Sequence, residues 1–374
     1  MNSDQLLEAL FWIAVAVTVY VYLGYPTLLA AWAAIAPKPI RRSPVTPSVS
    51  IVIAARNEAS TIRQRIDNLL ESDYPREMMQ IIVVSDGSTD GTADALKSYR
   101  RLVDVVVQPP AGKASAINAG VAAARHEVIV FADARQRFAP DALRALVAPF
   151  ADPGVGGVSG ELLLDVESGS GVSTIADGVG AYWRYEKWLR RHESLIGSTL
   201  GSTGAIHAMR RDLWHPLPSE TILDDVLAPM QVVLAGARVV FEGEAKAYDL
   251  AAPVAAAEFK RKTRTLAGNY QLIALQPRLL VPFLNPVWLQ FVSHKLGRLV
   301  VPYALATMFI TSAGLATEHF GYAAAFAAQV AFYGLAVYGA VLDKRGDRRK
   351  HDRRRPDPAR QRSRRMRDEI AREI

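Results

Sequence analysis

Carboxylates and hydroxyls gather at four places in this 374-residue chain. Ala55-Arg56-Asn57-Glu58, Ser85-Asp86-Gly87-Ser88-Thr89-Asp90-Gly91 and Asp133-Ala134-Arg135 each follow a short β-branched run, and Leu223-Asp224-Asp225 forms a fourth, acidic cluster. Asp, Ser, Asn and Gly serve ordinary turns and caps at such points, and Thr89 and Asp90 read as caps. An Asp pair also suits a helix N-terminus, where the dipole favours negative charge. Three polar clusters at successive strand ends, however, are the pattern of a ligand crevice. The crevice is not of the common nucleotide or hydrolase kinds. No G-x-G-x-x-G follows the first strand, Gly112-Lys113 lacks the Walker spacing, and there is no G-x-S-x-G elbow. With no cysteine, thiolate nucleophiles, disulfides and cysteine-held zinc are excluded, and the seven scattered histidines form no H-E-x-x-H.

The elements that must carry these clusters are legible as alternating patterns. Val49–Ala54, Gln80–Ser85, Val103–Val107 and Glu127–Ala132 read as strands, and Thr61–Ser72, Thr89–Arg100 and Lys113–Ala124 as helices between them. This order predicts an α/β fold with a doubly wound, mostly parallel sheet, which binds ligands at the carboxyl ends of its strands.

Apolar segments flank that region. Ala9–Ala36 contains no Asp, Glu, Lys or Arg, long enough for a spanning helix of about 20 residues. Pro26 is expected to kink it. Residues 1–36 therefore read as a membrane anchor and 43–276 as the α/β domain. Residues 279–298, interrupted by Pro282 and Pro286, read as an interfacial helix, 299–342 as a two-helix hairpin through the bilayer, and 343–374 as a basic tail. The tail holds 14 Lys/Arg against 7 Asp/Glu while the remainder carries 30 of each, so the net charge of +7 belongs to the tail and gives no reason to expect nucleic acid as a partner. Lys38, Arg41, Arg42 and the tail place the middle region and the C-terminus on the cytoplasmic side of the inner membrane, with the N-terminus outside.

Seven segments occur in one order: SIVIAARNEAS, IIVVSDGSTDGT, GKASAINAG, VIVFADARQ, GSTGAIHAMRR, LDD and EFKRKTRTLAGN. In that order the chain resembles the family 2 glycosyltransferases of GT-A fold, most of all their membrane-bound, polysaccharide-synthase-like branch. The resemblance implies an inverting enzyme that moves a sugar from a nucleotide-diphosphate sugar, a UDP-sugar in particular, to a glycan or lipid-linked acceptor. It implies Glu58, Asp86, Lys113, Asp133, Arg135 and Arg264 as donor-side residues. Asp225 is implied as the catalytic base, with Asp224 positioning, and Gly201, Ser202, Thr203 and Gly204 as an acceptor-side loop before a helix bearing Arg210 and Arg211.

Departures from the family pattern matter. Where relatives carry Asp-x-Asp this chain has Asp133-Ala134-Arg135, so Mg²⁺ or Mn²⁺ would be held weakly, by Asp133 and donor phosphate oxygens. Where processive members carry Gln-x-x-Arg-Trp, the Arg is kept as Arg264 but Arg261 and Thr265 replace the Gln and Trp. Trp183, Tyr185, Trp188 and Trp214 read as packing or interfacial anchors rather than an acceptor groove. The lipid bilayer is an expected partner, and three spans make a self-contained export pore doubtful without an oligomer or accessory subunits. The alternative reading is a degenerate, non-catalytic subunit that scaffolds polysaccharide synthesis.

Overall fold

The computed structural model describes residues 2–165, 174–250 and 255–354, and these divide into two compact units. The larger, Val19–Val301, is built on eight strands: β1 (Val49–Ala55), β2 (Met79–Asp86), β3 (Asp104–Gln108), β4 (Val128–Asp133), β5 (Arg137–Phe138), β6 (Val155–Asp165), β7 (Ile206–Arg210) and β8 (Arg238–Leu250). Their order is β3-β2-β1-β4-β7-β6-β8-β5. The first four are parallel, β7 runs antiparallel between β4 and β6, and β6 pairs parallel with β8. The parallel half is thus joined to a mixed half, because the chain leaves the βα pattern after β4.

Both faces of the parallel half are covered, which explains its uninterrupted apolar strands. Ile51, Ile53 and Val83 pack with Ile62, Ile66 and Leu69 on one face. Val52, Ile82 and Phe131 pack with Ile117, Met230 and Val233 on the other. Gly120 of the Lys113–Ala123 helix lets that helix lie on β1, since a Cβ there would sit 2.3 Å from Val52 Cγ1. The expected helix over 89–100 is shorter than its pattern: one turn, Thr92–Ala95, and a 3₁₀ turn, Lys97–Tyr99. Gly91 in the left-handed region delays its start.

Among the described residues, three helices are long and apolar enough to cross a membrane: Ser3–Ile35, Trp288–Gly314 and Phe320–Gly339. In the first, Pro26 is accommodated by a π turn over Tyr20–Gly24, closed by the Tyr25 N–H bonding to the Tyr20 carbonyl. The interfacial helix expected over 279–298 is not formed as one element. Pro282 and Pro286 reduce its first half to a 3₁₀ turn at Pro277–Leu280 and irregular chain, and helix starts only at Trp288. His294, Lys295 and Arg298 therefore belong to the apolar segment Trp288–Gly314 rather than to a separate helix before it. Within the smaller unit, Phe11 meets Tyr322 edge-on at 5.0 Å and Phe309 packs on Phe326 at 5.1 Å. The tail from 355 lies outside the described residues.

Candidate active site

The carboxyl ends of β1, β2 and β4 meet a helix start, Asp224–Leu234, that comes from the mixed half of the chain. At the centre stands Lys113. Its ammonium lies 3.2 Å from Asp133 Oδ1 and 3.2 Å from Asp224 Oδ2. Burial works against its charge, but Asp133, Asp224 and Asp225 outweigh burial and hold it above the usual lysine range. Lys113, Asp133, Asp224, Gly204, His207 and Phe131 line one small pocket.

Asp86 explains why Lys113 sits there. Its Oδ1 accepts hydrogen bonds from Gln108 Nε2 at 2.9 Å and the Ala111 N–H at 2.7 Å, and Oδ2 accepts the Gly112 N–H at 2.9 Å. Burial alone would raise this carboxyl; these donors and Arg56 bring it below the ordinary carboxylate range. Gly87 makes the clasp possible. Its φ is +63°, and a Cβ there would lie 2.6 Å from Pro110. Asp86 thus ties residues 108–112, and with them the start of the Lys113 helix, to the end of β2.

The neighbouring loops are cross-linked in the same manner. Asn57, with φ of 57°, accepts the Thr89 N–H at 2.9 Å, and Asp90 accepts the Ala59 N–H at 2.9 Å and the Thr92 N–H at 3.0 Å. Glu58 Oε2 accepts the Thr61 hydroxyl at 2.8 Å. Arg135 is exposed and makes no hydrogen bond or ion pair among the described residues.

Asp225 lies beside Asp224 in the first turn of its helix. Burial, and then the Asp224 charge, push its carboxyl up to about 6 against the pull of Lys113, Lys295 and Arg190. A carboxylate so placed is a stronger base than an exposed one and is still mostly ionised at neutral pH. The loop 201–204 grips it from outside. The Ser202 N–H donates to the Asp225 main-chain oxygen at 2.7 Å, and the Ser202 hydroxyl to the same atom at 3.1 Å. Gly204 passes so close that a Cβ would stand 3.2 Å from Asp225 Oδ2. Thr203 turns inward, donating to the Gly160 carbonyl at 2.7 Å and accepting from Arg190 at 2.9 Å. Ser202 and Thr203 are buried, so this loop positions Asp225 with its side chains engaged inside the protein.

From the other side the helix Ala255–Leu275 braces the approach to Asp224. Arg264 Nη2 donates to the Ile222 carbonyl at 3.0 Å, Gln271 accepts the Ile222 N–H at 2.9 Å, and Gly268 packs directly on Leu223. The helix expected after the loop, bearing Arg210 and Arg211, is instead the strand β7 followed by a single 3₁₀ turn, Arg211–Leu213. Arg210 closes β7 and donates to the carbonyls of Val155 and Phe150, and Arg211 donates to that of Ala124. Of the aromatics, Trp214 stacks on Phe131 at 5.3 Å, and Trp188 lies tilted against His192 at 3.9 Å.

Sequence reasoning passed over His207. It is buried on β7, stacks on Phe131 at 4.6 Å, and donates from Nδ1 to the Thr203 carbonyl at 3.1 Å. Burial holds it down to about 4, so it is neutral at pH 7. The only signal would have been its place two residues beyond the Gly-Ser-Thr-Gly-Ala loop.

The mixed eight-stranded sheet, with helices on its parallel half, is that of the GT-A glycosyltransferase fold. Residues 50–213 match the family model described as Glycosyl transferase family 2. The Probable glycosyltransferase YdaM of Bacillus subtilis is 38% identical over 95 residues, 24% of this chain and 23% of that protein. The poly-beta-1,6-N-acetyl-D-glucosamine synthase of Staphylococcus epidermidis is 23% identical over 254 residues, 63% of this chain. The chain spans 60% of that synthase's length. Among solved structures, the mannosyltransferase PcManGT of Pyrobaculum calidifontis, in complex with GDP-Man and Mn²⁺, superposes with a TM-score of 0.66 at 24% identity, covering 86% of this chain and 92% of its own.

Proposed function

We propose that this chain transfers a sugar, with inversion, from a nucleotide-diphosphate sugar to an acceptor at the cytoplasmic face of the membrane. The observation that carries the reading is the Lys113 ammonium fixed between Asp133 and Asp224, with the basic carboxyl of Asp225 next to them. Breaking the bond from the anomeric carbon to the diphosphate leaves charge on phosphate, and Lys113 supplies a fixed cation for it. Asp225 takes the proton of the attacking hydroxyl from the opposite side. Asp224 holds Lys113. Glu58 lies on the nucleotide side, Asp86 acts through the loop it clasps, and Arg264 braces the loop before the acidic pair. Exposed, and without an ion pair among the described residues, Arg135 has the freedom to reach a phosphate.

Among the described residues no three His, Asp or Glu side chains gather to hold a metal ion. Asp133, a third exposed at the pocket, fits a divalent cation only as a single protein ligand, with donor phosphate oxygens as the rest. When bound, Mg²⁺ or Mn²⁺ would supply further charge to the leaving diphosphate.

The donor we favour is a uridine diphosphate sugar, and the acceptor a glycan or a lipid-linked sugar of a cell-surface polymer or glycolipid. Lys38, Arg41 and Arg42 after the first apolar helix support an outside N-terminus and a cytoplasmic domain. The test is calorimetry with UDP, GDP and ADP on detergent-purified protein, with mass spectrometry of products formed from a panel of sugar nucleotides and lipid extract. Tightest binding of UDP and a sugar-bearing product are expected. Equal affinity for all three nucleotides would remove the uridine assignment, and absence of both transfer and donor hydrolysis would favour the scaffold alternative.

A further inference from the structure

The fold brings two carboxylates from separate elements onto the ammonium of Lys113. Asp133 ends β4 and Asp224 opens the helix Asp224–Leu234, and each places an oxygen 3.2 Å from Nζ. Two such oxygens converging on one point mark a cation position, and the chain fills it with its own cation. The two partners differ in their surroundings. Asp224 is buried, whereas Asp133 is a third exposed and stands on the open side. The start of the Lys113 helix is in turn held by Asp86, which accepts the Gly112 N–H at 2.9 Å.

Positive charge is short in this pocket. Among the described residues lining it, Lys113 is the single lysine or arginine, set against two carboxylates, and His207 is neutral at pH 7. A nucleoside diphosphate entering alone brings more negative charge than one ammonium offsets, and a divalent cation would supply the difference. That ion would stand about 2.1 Å from a carboxylate oxygen of Asp133. Asp133 Oδ1 already has an ammonium at 3.2 Å, so the ion would be a second cation on one carboxylate. Repulsion between the two disfavours it until further negative charge arrives. The diphosphate is that charge.

We propose that Lys113 is a built-in competitor for divalent metal: it caps Asp133 until a donor binds, and the diphosphate then frees Asp133 while Lys113 stays on Asp224. The release half of this rests on the reading of the site as one for a nucleotide-diphosphate donor. An order of binding follows, in which metal is held with the nucleotide and not ahead of it. Removing the ammonium then has opposite consequences for the two ligands. The diphosphate loses a cation, whereas metal alone gains two converging carboxylates with no competitor between them.

The experiment titrates Mn²⁺ into the detergent-purified full chain without nucleotide, following the free-ion electron paramagnetic resonance signal. Lys113→Met should bind Mn²⁺ about tenfold or more tightly than wild type. Lys113→Arg, which keeps a cation, should stay near wild type. The double variants Lys113→Met/Asp133→Asn and Lys113→Met/Asp224→Asn should each lose most of the gain, which a merely looser structure would not do. Equal Mn²⁺ affinity in wild type and Lys113→Met would overturn the proposal, as would a gain that survives in both doubles. A cooperative melting transition shows that each variant is folded. If Lys113→Met does not fold, Asp133→Asn decides: it should leave nucleotide-free Mn²⁺ binding unchanged, and a loss of about tenfold or more would show Asp133 already open to metal. UDP calorimetry on the wild type is read separately. The expected Mn²⁺ pattern in a chain that binds no UDP would sink the donor reading and the release by diphosphate, and leave the exclusion of metal by Lys113 standing.

Discussion

Replacing Asp225 by Asn tests the assigned base with little collateral change to the site. The substitution keeps the side chain's size, and the two Ser202 hydrogen bonds survive because they go to the main-chain oxygen. Lys113 keeps its contacts at 3.2 Å with Asp133 and Asp224. What disappears is one group able to take a proton. With its carboxyl at about 6, Asp225 is about nine-tenths ionised at pH 7 and about one-tenth at pH 5. The wild-type rate should therefore fall about tenfold per pH unit below 6, since the base is lost as it gains its proton. Asp225→Asn should lose about 10²–10⁴ in kcat at pH 7, or roughly 3–5 kcal/mol of transition-state stabilisation. Its residual rate should no longer show that acid limb. Nucleotide affinity should remain within about threefold of wild type, or less than about 1 kcal/mol. The assay is release of nucleoside diphosphate between pH 5 and 8, with calorimetry on the same protein. Normal turnover in Asp225→Asn, with a dead Asp224→Asn, would assign the base to the wrong carboxylate. Normal turnover in both would leave the pair as a helix-start feature.

Three further outcomes are expected. Lys113→Met should weaken nucleotide binding about tenfold or more; it should also move the acid limb of the rate profile to higher pH, because Lys113 lowers the Asp225 carboxyl and its removal lets that carboxyl rise. Excess EDTA should abolish transfer, with recovery only at generous Mg²⁺ or Mn²⁺ concentrations and a still greater metal demand in Asp133→Asn; full activity in EDTA would shift that role to fixed cations. Reporter fusions after residue 5 and at the C-terminus should report opposite compartments, and a shared compartment would mean an even number of spans.

The parallel half of the sheet could be read directly because β1, β2 and β4 are continuous apolar runs buried on both faces. The mixed half could not. β6, β7 and β8 contain Gly157, Gly160, His207 and Glu242, and their pairings join segments far apart in sequence. The site divides along similar lines. Asp133, Asp224 and Lys113 are visible as motifs and do meet. Spacing cannot tell, however, whether a strand-end carboxylate faces outward or inward. Asp86 looks like a ligand contact and has both oxygens turned onto the neighbouring stretch 108–112. Nor does a pattern reveal where a proline-broken segment resumes its helix. Lys295 reads as part of an interfacial helix, whereas helix restarts only at Trp288 and puts Lys295 within the apolar segment Trp288–Gly314.

The Asp86 clasp also decides when disorder is removed. Fixing one residue's backbone costs about 1–2 kcal/mol of conformational entropy. Were residues 108–112 loose, each arriving nucleotide would have to order them, and several kcal/mol of its affinity would go into that ordering. The three hydrogen bonds to Asp86 settle this stretch when the domain folds. Under the proposed function, a donor then meets a cation whose position was determined before it came. Loosening the clasp, as in Asp86→Ala, would act as an entropic penalty on donor capture even though no contact with the donor itself had been removed.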